Sequence, residues 1–157
     1  MRRLIPLAIA VLAITACSSI DCPLNTMVYS KYVLDGEVTT LQDTLTVITT
    51  RNDGKYVMLN KLINQSEFVL PVSYGLPEDT LFFMLTNSNS NTRIDTVRLR
   101  KTSVPHFESV DCSPTYFHTI NGVNWTRHAI DSIIISKTII NYDTTGGHLR
   151  IYFKPGD

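Results

Sequence analysis

Cysteine is scarce in this chain, three in 157 residues, and no two stand in a Cys-x-x-Cys pair. That absence removes the compact thiolate spacings of zinc ribbons and redox motifs. Excess charge is missing as well: 14 basic residues balance 14 acidic ones, which argues against nucleic acid as a partner. There is no Gly-x-Ser-x-Gly elbow and no His-Glu-x-x-His pair, so the common hydrolase and zinc-protease signatures are lacking. Beyond residue 16 no second long hydrophobic run follows, and no window shows a helical period. What remains is a chain of ordinary apolar content, 43%, long enough to bury one core without a metal.

The first sixteen residues stand apart. Arg2 and Arg3 precede an apolar run over residues 4–14, broken only by Pro6 and too short for a permanent membrane span. Residues 1–16 therefore read as an export signal. Its end, Ile14-Thr15-Ala16-Cys17, resembles the bacterial lipobox, in which an aliphatic and two small residues precede a cysteine that is lipidated and becomes the new N-terminus. The resemblance implies a lipid on Cys17, a mature domain over 17–157 and a membrane partner reached through acyl chains, several of which together anchor stably. Cys22 and Cys112 are then the two thiols left in an oxidising compartment. A disulfide is their simplest fate, closing a loop of about 90 residues, with two buried free thiols as the alternative.

The rest of the chain is a series of short β-rich segments. Strands are expected at residues 43–48, 56–59, 67–72, 80–86 and 94–99, then at 106–110, 115–120, 130–136, 139–142 and 148–153. Asn52-Asp53-Gly54, the polar run 87–91 and the segment 144–147 read as turns. In the last strand Leu149, Ile151 and Phe153 share one face, and His148, Arg150 and Tyr152 the other. Eight to ten such strands predict an all-β fold, an antiparallel β-sandwich, with an up-and-down barrel as the alternative.

One triplet recurs: Asp, a hydroxyl residue, then an apolar residue or Thr, beginning at Asp43, Asp79, Asp95, Asp131 and Asp143. Structurally these are expected to be strand starts, the carboxylate closing a turn before the extended chain begins. The triplet also resembles the acceptor pattern for O-glycosylation of exported Bacteroidota proteins, which implies Thr44, Thr80, Thr96, Ser132 and Thr144 as modification sites. The first four starts fall at intervals of 36, 16 and 36 residues, a faint hint of duplicated halves.

Candidates for chemistry are few. His106, Glu108 and His118 are the one His/Glu set near enough in sequence to suggest a metal, yet their spacing matches no known ligand motif, and no metal or cofactor is expected. A hydrolase remains only a minor alternative, because nothing nominates a carboxylate pair. Trp125, beside Asn124 and Arg127, is the best candidate for a ligand-contacting aromatic, with burial in the core as the plainer reading. Tyr116 and Tyr152 are its possible companions.

With its lipobox, the second cysteine Cys22, the Asp-Thr-Leu starts, the segment 106–112 and the terminal Ile151-Tyr152-Phe153, the mature chain resembles small lipoproteins of unknown function from gut and oral Bacteroidota. That resemblance implies an outer-membrane location. A single acid after Cys17, Asp21, favours the periplasmic face over the cell surface. The expectation is a non-enzymatic structural or protein-interaction module with an envelope protein partner, the alternative being a ligand-binding, for instance glycan-binding, lipoprotein. Oligomeric state is left open.

Overall fold

The computed structural model of the chain describes residues 22–23, 26–51 and 54–156. The export signal over 1–16 and Cys17 lie outside the described residues, as do Asn52 and Asp53 of the first turn. Ten strands follow in order: β1 (Tyr29–Leu34), β2 (Thr44–Arg51), β3 (Gly54–Leu62), β4 (Glu67–Pro71), β5 (Glu78–Thr86), β6 (Thr92–His106), β7 (Thr115–Trp125), β8 (Ile130–Ile135), β9 (Ile139–Ile140) and β10 (Leu149–Phe153). They form two sheets, β4-β1-β10-β8 and β3-β2-β5-β6-β7-β9, packed as a sandwich, and neither sheet closes into a barrel.

Alternation builds the core. In β2, β5 and β6 the residues Leu45, Val47, Leu81, Phe83, Leu85, Val97 and Leu99 point inward, while Tyr32, Phe68, Leu70, Ile133, Leu149 and Ile151 oppose them from the smaller sheet. Tyr32 stacks on Phe68 at 5.0 Å between ring centres, and Phe83 tilts against both across the interface.

Several expectations need correction. The sandwich is not wholly antiparallel, because β1 pairs parallel with β10, Tyr32 opposite Leu149. Strand β1 escapes a reading for alternating apolar residues, since its buried positions are Ser30, Tyr32 and Leu34, and the serine breaks the apolar row. The segment 106–110 is no separate strand; β6 runs unbroken to His106 and residues 107–112 turn. His148 does not share the exposed face of Arg150 and Tyr152. It is fully buried just before β10, where Nδ1 accepts from the N–H of Lys31 at 3.0 Å. Gly147, in front of it, has φ +76°, and a Cβ there would come within 2.5 Å of Val33 Cγ2, so only glycine lets the chain pass. The interval between the Asp triplets is not a structural repeat: β2 and β5 are neighbours in one sheet, whereas β6 and β8 belong to different sheets.

Candidate functional site

Strands β5 and β6 pair around Leu81 and Val97, which places Asp79 opposite Leu99 and Asp95 opposite Phe83. Both carboxylates thus fall on the inner face, Asp79 near one end of the ladder and Asp95 within it. Asp95 is fully buried in the interior of β6, so its triplet is no strand start. Its Oδ1 accepts from Thr126 Oγ1 at 2.6 Å and the N–H of His128 at 2.8 Å, and Oδ2 from the N–H groups of Ala129 and Ile130 at 2.6 and 2.7 Å. Burial would raise this carboxyl, but the four donors outweigh it and hold it below the usual range.

Near the ladder's end, Asp79 meets Lys101. The Lys101 side chain is fully buried, and Nζ lies 2.9 Å from Asp79 Oδ1, 2.9 Å from the Leu76 carbonyl and 3.3 Å from Ser73 Oγ. All three ammonium protons therefore have partners. Ser73 completes the knot, donating to Asp79 through both its hydroxyl and its N–H.

A bulge in β7 extends this polar end. Arg100 pairs with Gly122 and Lys101 with Ile120, which leaves Asn121 as the extra residue. That one insertion rephases the strand, so Val123 on one side of it and Ile120 and His118 on the other all lie on the inner face. His118 is 2% exposed, and its Nδ1 lies 2.9 Å from Oγ of Ser103, its cross-strand partner. Burial, then the charge of Lys101, push its pKa down to about 4 against the opposing pull of Asp79. The imidazole is neutral at pH 7.

His118 lines a cavity of about 340 Å³ between Thr26, Met27 and Val28 on one wall and Ser113, Pro114 and Tyr116 on another, with Val72 and Tyr74 beside them. Tyr74 and Tyr116 stack at 4.7 Å. The disulfide Cys22–Cys112, with Cα atoms 5.5 Å apart, joins the two segments that supply these walls. The free-thiol alternative is therefore not the one realised.

A family model matches residues 44–153, from the first residue of β2 to the last of β10. The chain belongs to a family of unknown function (DUF6452). No curated protein and no solved structure matches it. Of the features above, Asp79, Asp95, Lys101 and His118 fall inside the matched DUF6452 region, while Cys22 and the wall formed by Thr26, Met27 and Val28 precede it.

The outer face of the larger DUF6452 sheet is a second candidate surface. Register places Val57 beside Ile48, Ile48 beside Phe82 and Met84 beside Ile94, one contiguous apolar row with Val57 and Ile94 about half exposed. Thr46, Thr80 and Thr96 border it, and Arg98 pairs with Thr80 at its rim, followed by Arg100. Thr44 begins β2 on the same face. Of the remaining triplet hydroxyls, Ser132 lies opposite Tyr152 in the smaller sheet. Thr144 stands in the turn before β10, where Asp143 accepts from Thr145 and Lys137; Asp143 is thus no strand start either. All five hydroxyl residues are half-buried.

The remaining candidates are dispersed. Trp125 packs against the core edge, its Nε1 donating to the Asp131 carbonyl at 3.2 Å and Arg127 lying over its ring at 5.8 Å. Tyr152 donates to Asp35 Oδ2 at 3.1 Å on the smaller sheet, so Trp125, Tyr116 and Tyr152 do not gather into one surface. His106 contacts Glu108 at 3.2 Å and stacks on Phe117, while His118 is hydrogen-bonded to Ser103; among the described residues no three metal-ligating side chains converge. Alternation alone does not place His118 on the inner face, because the bulge at Asn121 rephases the strand. The bulge's signal, Ile120-Asn121-Gly122 in mid-strand, is visible only in retrospect.

Proposed function

We propose that this chain is a lipid-anchored envelope module that acts by binding rather than catalysis, docking a protein partner on the outer face of its larger sheet. The apolar row from Val57 through Ile48, Phe82, Met84 and Ile94 carries this reading: its ends, Val57 and Ile94, are about half exposed and its centre is partly covered, so a partner laid across it would remove further apolar surface from water. Arg98 and Arg100 at its rim favour a partner whose own apolar patch is edged by carboxylates. The lipobox-like Ile14-Thr15-Ala16-Cys17 supports the anchor, and the lone Asp21 after it supports the periplasmic face of the outer membrane. With four residues between Cys17 and Cys22, hence five Cα–Cα steps, the tether reaches at most ~18 Å, which keeps the disulfide end near the bilayer.

Glycans on Thr80 or Thr96 would cover the same row, so modification there and docking exclude one another. The test is a photocrosslinking residue at Ile94 in the full membrane-bound protein. A discrete heterologous adduct that disappears with Phe82→Glu and weakens with salt supports the reading. An adduct indifferent to Phe82→Glu, a self-adduct alone, or an intact mass carrying glycan at Thr80 or Thr96 overturns it.

A further inference from the structure

We propose that the cavity at the disulfide end is a binding site for a small, neutral, single-ring hydroxylic compound, of which p-cresol is the simplest probe. Its volume, about 340 Å³, sits at the lower end of small-molecule sites, roughly 300–1,000 Å³, and suits one ring rather than an oligosaccharide. Its chemistry is mainly apolar: Met27, Val28, Val72 and Pro114 with the stacked pair Tyr74 and Tyr116, relieved by the hydroxyls of Thr26 and Ser113. A further ring has aromatic edges and faces to pack against.

Charge decides against an ion. Among the described residues that line the cavity, the one ionisable group other than the tyrosines is His118, held neutral by burial and by Lys101. Lys101 itself is fully committed to Asp79, Ser73 and Leu76, so it offers nothing to an anion. An entering charge would lose water and gain no counter-ion.

His118 also specifies the polar group. It is 2% exposed, its Nδ1 is occupied by Ser103, and among the described residues Nε2 has no partner, which leaves it as the ring nitrogen available to the cavity. The neutral ring presents Nε2 as a donor or as an acceptor according to tautomer. A hydroxyl matches both. A carbonyl matches only the donor and an ammonium only the acceptor.

The Cys22–Cys112 bridge makes the site conditional. It joins the segment leading to Thr26, Met27 and Val28 with the segment leading to Ser113 and Pro114, and both line the cavity. Reduction frees one wall from the other.

The experiment is NMR titration of the oxidised protein, following the His118 and Tyr116 ring signals. With p-cresol we expect saturable shifts of both; toluene, which lacks the hydroxyl, binds about five-fold or more weakly, the worth of one neutral hydrogen bond. Methyl glucoside produces no shift. Ser113→Trp, at an exposed rim position, blocks p-cresol while the fold persists, and so does reduction of the disulfide; His118→Leu lowers p-cresol to the affinity of toluene. No saturable shift with p-cresol, equal affinity for toluene, a response to methyl glucoside instead, or unchanged binding in folded Ser113→Trp overturns the proposal. Since Ser113→Trp leaves the core untouched, the test survives a failure of His118→Leu to fold.

Discussion

Asp95 and Ile130 are 35 residues apart in the chain, yet Asp95 Oδ2 accepts the N–H of Ile130 at 2.7 Å and so ties the interior of β6 to the first residue of β8. The two strands lie in opposite sheets. One buried carboxylate thereby clamps the sandwich at the corner where the chain crosses over, accepting from three successive backbone donors, those of His128, Ala129 and Ile130.

Replacing Asp95 with Ala strands those donors in the core and should cost about 3 kcal/mol or more, since each buried unmade hydrogen bond costs ~1–3 kcal/mol. Asp95→Asn should fare only slightly better, because its amide turns a donor toward other donors. Urea unfolding checks this, as a fall in midpoint at constant slope.

Asp79 and Lys101 behave differently as a pair and as individuals. Asp79→Leu alone leaves a buried ammonium and should cost about 3–5 kcal/mol, whereas Asp79→Leu with Lys101→Met should recover most of that loss. A double-mutant cycle by chemical denaturation measures the recovery; additive losses would show that the two do not act as a pair.

Acidification should destabilise the fold in two stages. His118 has its pKa lowered to about 4 in the folded chain from 6.5 unfolded, so the unfolded state takes up the proton first and stability falls from about pH 6.5 to pH 4, by as much as ~3 kcal/mol. Buried His148, shifted in the same direction by burial, adds to this stage. Asp95 is held below its ordinary value, so its contribution is complete above about pH 4 and is lost as pH falls through its folded value. Unfolding midpoints between pH 7 and 3 should show both slopes, and His118→Phe should flatten the first.

Reduction of Cys22–Cys112 should lower stability by roughly 4–5 kcal/mol on the chain-entropy argument for a closed loop of 90 residues. Calorimetry of Cys22→Ser with Cys112→Ser against the oxidised protein checks the size, and non-reducing peptide mass spectrometry should recover the two cysteine peptides joined.

Cys17→Ala should move the protein from the membrane fraction to the soluble one in its native host, since the proposed tether depends on that sulfur. Persistence in the membrane after carbonate washing would refute lipidation as the anchor.

The fold class and most strand positions were legible in the sequence, which also made a Cys22–Cys112 bridge the simplest expectation; the structure decided it against two free thiols. Period-two alternation in strands such as β5 and β10 is a local property, whereas the meeting of two sulfurs 90 residues apart is not. Where alternation carried polar residues inward, as at Ser30 in β1, or was rephased by one extra residue, as at Asn121 in β7, the local signal failed. Tertiary structure decided the rest. The parallel contact of β1 with β10, the roles of Asp79 and Asp95 as buried anchors, and the cavity over His118 all depend on which distant strands meet. A carboxylate in an Asp-Thr triplet has the same local chemistry at Asp43 as at Asp95; only the donors brought to it from residues 126–130 make the second an interior clamp.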